Sequence, residues 1–163
     1  MGEVIIARPA VTVATVVERD GRFLLVEEET RGGRKLNQPA GHLESGESLP
    51  AAAVRETLEE TAWSVTPTAL VGVYRWEAAD NGATFVRFTF CADAREHDPH
   101  RALDTGIVQA IWLTYDEVVA RRRDHRSPLV QRCIDDYRAG ARWPLDFVTE
   151  VAVQRGFWED APG

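Results

Sequence analysis

The stretch at residues 41–63, GHLESGESLPAAAVRETLEETAW, constrains this chain more than any other. It opens as a glycine-bearing loop and runs into a helix. Ser48 suits the N-cap, and Pro50 falls in the first turn, where a missing N–H does no harm. At about 100° per residue, Ala51, Val54, Leu58 and Ala62 share one helical face, read as the buried one. Glu56, Glu59 and Glu60 stand at i, i+3 and i+4, on an arc roughly opposite. Like charges at this spacing repel by about 0.2–0.5 kcal/mol per exposed pair. Something positive is therefore expected among them, and an oxygen-only cluster suits a hard cation such as Mg²⁺, or Mn²⁺.

Three glutamates on a helix also describe a plain solvated face, so the spacing around them decides. Glycine, five residues, glutamate, seven residues, then Arg-Glu-x-x-Glu-Glu is the pattern of the Nudix box, and the chain resembles the Nudix hydrolase superfamily. The matching positions are Gly41, Glu47, Arg55, Glu56, Glu59 and Glu60. Thr57 stands where an aliphatic residue is usual, Ala62 where the closing glycine is usual, and Trp63 where an aliphatic is usual. An alanine in the left-handed conformation that such a glycine adopts costs about 1 kcal/mol. The blocks Asn37-Gln38-Pro39-Ala40-Gly41-His42-Leu43-Glu44, Arg126-Ser127-Pro128-Leu129-Val130 and Trp143-Pro144-Leu145 look like the NudJ-type phosphatase branch. The resemblance implies an α/β/α sandwich with a mixed sheet between helices. It also implies hydrolysis of nucleoside di- and triphosphates, or of the pyrimidine pyrophosphate of thiamine synthesis, with release of orthophosphate. Glu56, Glu59 and Glu60 would be metal ligands, joined by the Ala40 backbone carbonyl, while Glu47 and Arg55 would pair to brace the loop on the helix.

Composition narrows the class. At 163 residues, 44% of them hydrophobic, the chain is read as a single domain with a real core. A net charge of −7 argues against a nucleic-acid-backbone binder, which would carry a basic field. It leaves room for a small phosphorylated substrate, because a metal ion can bridge acidic protein and anionic ligand. Cys91 and Cys133 form no CxxC pair and lie among apolar neighbours, so they are read as buried free thiols in a reducing, cytoplasmic setting. The apolar run at residues 4–7 soon meets Arg8-Pro9, which fits neither a signal peptide nor a membrane span. A monomer or a homodimer fits equally well.

Along the chain, residues 11–17 read as a strand buried on both faces, and Asp20-Gly21 as a hairpin turn into a partner strand at 23–28. Residues 30–35 read as a polar connection, and 36–38 as a short extended piece. Two more strands at 69–76 and 84–92 flank an Asp80-Asn81-Gly82 turn. A charged loop at 95–106 and a strand at 107–113 follow. Thr114 with Glu117 makes a capping box for a helix reaching about Arg123. A further helix after Ser127-Pro128 carries the stripe Leu129, Val130, Cys133, Ile134 and Tyr137, closed by Gly140. The tail, with Trp143, Phe147, Val151 and Phe157, is apolar enough to pack back on the body.

Phosphoanhydride hydrolysis needs an activated water, a shield for phosphate charge and a stabilised leaving group, all of which divalent ions supply. A cluster glutamate or Asp104 would orient or deprotonate the water, though Asp104 also reads as a plain loop acid. Arg87, on the mixed face of its strand, would clamp a phosphate or make a structural ion pair. Gln38 and Asn37 would read a ligand edge or cap the loop backbone, and His42 would touch phosphate or sit in solvent. Trp76, Tyr74, Trp112 and Trp143 include possible stacking platforms, with core packing the commoner role. Two alternatives stand beside the orthophosphate-releasing enzyme: a pyrophosphohydrolase that releases pyrophosphate, and a non-catalytic nucleotide sensor.

Overall fold

The computed structural model describes residues 8–79 and 82–151. The Asp80-Asn81 half of the expected turn, the run at 4–7 and Phe157 lie outside the described residues. Strand β1 (Ala10–Arg19) is the axis of a seven-stranded mixed sheet. Its β-branched residues alternate between two buried faces: Val13 and Val17 enter the apolar clusters on one side, and Val16 enters the cluster on the other. The first part of β1 lies between β4 (Ala40–His42), antiparallel, and β6 (Thr84–His97), parallel. Its last residues turn through Asp20 and Gly21, at φ 52° and 72°, into β2 (Arg22–Thr30). Positive φ at both central positions is what an Asp-Gly hairpin supplies. Strands β3 (Gly33–Asn37) and β7 (Ile107–Thr114) flank β2, while β5 (Trp63–Glu77) pairs antiparallel with β6.

Three expectations about strand ends are corrected. Residues 30–35 form a tight hairpin rather than a loose connection, because the Thr30 hydroxyl donates to the Gly33 carbonyl at 2.6 Å and accepts from Gly32 N–H at 3.1 Å. Glu28 and Glu29 then face Lys35 and Arg34 across the pair, which favours strand over loop. Strands β5 and β6 run longer than their apolar cores, through bulges, until Trp63 faces His97 with ring centroids 4.9 Å apart. Residues 95–97 are therefore strand, and the loop begins at Asp98.

Helices close both faces. Helix α2 (Tyr115–Ala120) carries the predicted capping box but stops short of Arg123, giving way to a 3₁₀ turn. Helix α3 (Leu129–Arg138) buries Leu129, Val130, Cys133 and Ile134, as its stripe predicts, and Gly140 follows at φ 89°. Both cysteines are free and buried. The tail binds differently from expectation. Trp143 exchanges backbone hydrogen bonds of 2.8 and 2.9 Å with Leu70, but Trp143, Phe147 and Val151 keep exposed side chains. Among the described residues, backbone pairing to the edge strand, Val148 packed on the core and a 2.7 Å hydrogen bond from the Leu49 N–H to Glu150 hold this segment.

Helix α1 (Leu49–Thr61) carries the acidic stretch and corrects the main expectation. Ser48 caps it by accepting from Ala51 N–H at 3.2 Å. Its buried residues are Leu49, Ala52, Ala53, Thr57 and Thr61, whereas Ala51 is exposed and Val54 and Leu58 are only half-buried. Hydropathy misplaces the face because both threonines satisfy their hydroxyls inside. Thr57 Oγ1 donates to the Ala53 carbonyl at 2.7 Å and meets Thr15 Oγ1 at 2.8 Å. Thr61 Oγ1 donates to the Thr57 carbonyl at 2.5 Å. At about 100° per residue, Glu56 and Glu60 then fall inside the buried arc instead of opposite it, with Glu59 at its edge. The helix ends on Ala62 at φ 60°, a left-handed alanine. Ala62→Gly is expected to add about 0.5–1 kcal/mol, relief of the Cβ strain exceeding the entropy of glycine. A thermal melt checks this, with a rise of roughly 1–4 °C expected.

Candidate active site

Arg55 organises the acidic cluster. Its Nε donates to Glu47 Oε2 at 3.0 Å and its Nη2 to Glu47 Oε1 at 2.8 Å, a two-pronged pair that ties the loop to the helix as expected. The same guanidinium reaches further. Nη1 donates to Glu56 Oε1 at 2.9 Å and Glu59 Oε2 at 3.0 Å, and Nη2 to the His42 carbonyl at 3.1 Å. The positive charge that the repelling glutamates call for is thus partly supplied from within the helix. Glu60 stands apart from Arg55 and accepts from the Ala40 N–H at 2.9 Å. The edge strand β4 makes this approach close: a Cβ on Gly41 would overlap the Glu56 carboxylate and push that side chain from its present position.

Burial and mutual repulsion disfavour the charged acids. Burial raises the Glu56 carboxyl above its usual value; Arg55 opposes this, while Glu59 and Asp104 add to it. Glu60 is pushed up to about 8, by burial first, then against the Ala40 hydrogen bond by the charges of Glu56, Glu28 and Asp104. Asp104 is brought to the cluster by a backbone bond: its N–H donates to the Glu59 carbonyl at 3.0 Å, satisfying one of the open carbonyls in the last helical turn. Glu59 and Glu60 also sit at the negative end of the helix dipole, where a cation is favoured.

This donor set is chemically suited to a hard divalent cation: several carboxylates, two of them (Glu56 and Glu60) raised by burial first and by neighbouring charges second, with no thiolate or imidazole among them. As arranged, no three metal-ligating side chains among the described residues converge on one point. Glu56 and Glu59 converge on Arg55 instead, so both would have to turn from it to meet an ion.

A cleft of about 460 Å³ lies on the other side of β4. Ala40, Gly41 and His42 form its wall beside the acidic cluster, Thr12 and Arg87 its floor, and Trp76 and Phe85 its far side. Arg87 lines the cleft. Among the described residues it makes no ion pair, its Nε and Nη1 are buried without a hydrogen-bond partner, and burial lowers its pKa. Gln38 is placed elsewhere. Its side chain is fully buried and its amide donates to the Val130 carbonyl at 2.8 Å, pinning α3. Successive residues of an extended chain face opposite sides, so Asn37 lines the cleft and Gln38 does not. Glu28 and Arg126 also line the cleft, and sequence reading missed both. Glu28 sits in an acidic run that reads as a solvated strand end, yet Asn37 Nδ2 reaches it at 3.4 Å and Arg126 Nε at 3.6 Å.

The family model for the NUDIX domain matches residues 7–133. The chain belongs to the Nudix hydrolase superfamily. Phosphatase NudJ of Escherichia coli (strain K12) is 40% identical over 141 residues, 86% of this chain and 91% of its own. A NUDIX hydrolase structure from Nitrosomonas europaea is 54% identical, with a TM-score of 0.86 over 88% of this chain and 98% of that one. The MutT NUDIX hydrolase from Burkholderia pseudomallei shares the fold alone, at 21% identity and a TM-score of 0.68, covering 79% of this chain and 98% of that one. This Nudix hydrolase is accordingly an enzyme acting on phosphoanhydride bonds, in a family that generally uses divalent metal ions. Among its described residues no helix is long and apolar enough to cross a membrane.

The raised Glu60 carboxyl fixes the sign of a pH effect. The folded state holds this proton more tightly than the unfolded chain, so the associated stability is present below about 4.5 and is lost as pH rises towards 8. In chelator-treated protein the thermal midpoint is expected to fall across that window. Glu60→Gln is expected to flatten the fall, as paired melts at pH 5, 6.5 and 8 would show.

Proposed function

We propose that this Nudix hydrolase is Mg²⁺-dependent, with Mn²⁺ as a substitute, and cleaves small pyrophosphates with release of orthophosphate. Nucleoside di- and triphosphates and the pyrimidine pyrophosphate of thiamine synthesis are the substrates proposed. The observation that carries this reading is the pair Glu56 and Glu60, both half-buried on the core-facing arc of α1 with carboxyls raised by that burial. Buried like charges of this kind favour a cation or a shared proton, and a divalent ion satisfies several at once. The similarity to Phosphatase NudJ supports the release of orthophosphate.

In this mechanism Glu56, Glu59, Glu60 and the Ala40 carbonyl would hold the metal, which when bound would supply acidification of water and shielding of phosphate charge. Arg55 holds Glu47 and the loop in place and neutralises whichever glutamate oxygens face it. Asp104, or a glutamate of the cluster, takes the proton of the attacking water. Arg87 offers its open guanidinium donors to a phosphate group across β4. A cytoplasmic monomer or homodimer acting on a small phosphorylated substrate, with no nucleic acid or membrane as partner, completes the proposal. The runner-up is cleavage with release of pyrophosphate. The sensor reading is disfavoured because the full acidic set is present and the Asp104 backbone is bonded to that of Glu59.

Glu59→Gln and Glu60→Gln are each expected to lower kcat by at least about a hundredfold, since even indirect partners of a metal site commonly cost 10–100-fold. Their thermal midpoints should hold or rise, because a repelling charge is removed. Near-normal turnover in both variants would remove the metal role. Assaying orthophosphate against pyrophosphate, with and without Mg²⁺, separates the two modes of cleavage. Arg87→Gln is expected to raise KM by about tenfold or more, the loss of one charge-assisted phosphate contact. Initial-rate kinetics on the preferred substrate check it.

A further inference from the structure

Strand β5 ends the sheet, and its free side is only partly used. β6 pairs along one side, while on the other Trp143 pairs with Leu70. The Ala78 N–H donates to the Ala83 carbonyl at 2.9 Å, so Ala78 faces β6. Hydrogen-bonded and non-hydrogen-bonded positions alternate along an antiparallel pair, and the register shifts of this one lie no further on than Gly72. Trp76 and Tyr74 therefore face β6, while the N–H and C=O groups of Glu77, Arg75 and Val73 point out of the sheet. Among the described residues these outward groups meet no backbone partner. The same three side chains are exposed: Val73 is 46% accessible, and Arg75 and Glu77 pair with each other in solvent. An open edge with an apolar side chain on it is a template for another strand.

A second copy of the chain matches this edge in one register. When two identical strands pair antiparallel about a two-fold axis, the residue on the axis meets itself, and residues equally spaced on either side of it meet each other. An axis at Arg75 or Glu77 sets like charges face to face, and one at Val73 or Tyr74 sets Arg75 against a valine. An axis at Trp76 sets Arg75 against Glu77 on both sides of it, and Val73 against Ala79, which is exposed in the following turn. Each opposed Arg75 and Glu77 can then exchange two backbone hydrogen bonds, and the four charges alternate in sign. At the axis the two Trp76 residues stand opposite each other on the cleft side of the sheet, with Cα atoms about 4.5 Å apart. The far walls of the two clefts are then back to back.

We infer that a second copy of this chain pairs along residues 73–77 of β5 with the two-fold axis at Trp76, so that one sheet runs continuously through both copies. This narrows the alternative of monomer or homodimer above to a dimer with a stated interface, and it does not depend on the hydrolase chemistry. The contact is one short strand pair, so the dimer is weak and forms with concentration.

Sedimentation velocity on the full-length chain tests this without turnover. Between about 1 and 500 μM, the range of a weak small interface, the mass is expected to climb from one chain towards two. Arg75→Glu alone and Glu77→Arg alone should each weaken the dimer about tenfold, because two opposed pairs turn from attraction to repulsion. The double variant Arg75→Glu/Glu77→Arg should return to within about threefold of the original, since the swapped charges again meet their opposites across the axis. Amide hydrogen exchange on the unaltered chain gives a second reading that needs no variant. The Arg75 and Glu77 amides should exchange fast at the lowest concentration and slowly at the highest, while the Tyr74 and Trp76 amides, already bonded to β6, stay slow throughout. A mass of one chain at every concentration overturns the inference. So does a dimer that single charge reversal leaves intact, or one that forms while the Arg75 and Glu77 amides remain fast. Hydrolysis of pyrophosphates enters none of these measurements, so a monomeric chain that turns them over sinks the interface alone.

Discussion

The contact between helix α1 and the three-residue strand β4 is the constraint on which the rest of the site depends. Gly41 lets the Glu56 carboxylate lie against the strand, and the Ala40 N–H reaches back to Glu60. Neither contact is strong by itself. Together they bring an acidic helix edge against backbone, where water is largely excluded and the charged forms are disfavoured. The same strand is the wall of the cleft, so one short element joins the acidic cluster to the open face of the sheet.

Arg55 holds this arrangement together electrostatically. It touches the loop through Glu47 and His42 and the helix through Glu56 and Glu59, so its charge is shared across the joint. A fixed cation among acids lets them be packed in the folded chain before any other cation arrives, at the cost of competing for their oxygens. Glu60, which Arg55 does not reach, keeps the most strongly raised carboxyl of the cluster. The site thus combines one acid that Arg55 does not reach with two that share its single charge with Glu47.

On the opposite face the sheet does different work. Strands β1 and β6 run parallel and in register, so Thr12 and Arg87 stand side by side on the cleft floor while Val13 and Phe88 pack towards α1. The period of two along a strand sends alternate side chains of β1 and β6 towards α1 and towards the cleft and α3. Helix α3, pinned by the Gln38 amide through Val130, covers the remainder of the ligand-facing side and leaves the cleft open beside it.

The acidic stretch, its cap, the Asp-Gly hairpin, the Thr114 capping box and the α3 stripe were all legible in the residues, because each rests on local geometry over a few positions. So was the Glu47–Arg55 pair, carried by fixed spacing along one loop and helix. The burial of Glu56 and Glu60 was not, because Thr57 and Thr61 count as polar until a partner such as Thr15 satisfies them. Nor was the choice between Asn37 and Gln38, which turns on which face of β3 meets the cleft. Asp104 and Glu28 reach the site through chain segments far from it in sequence, and Trp76 meets Phe85 only across a strand pair. Local chemistry therefore announced an acidic helix suited to phosphate chemistry. Which acids are desolvated, and which cation is left without a partner, depends on long-range packing that no short window of sequence contains.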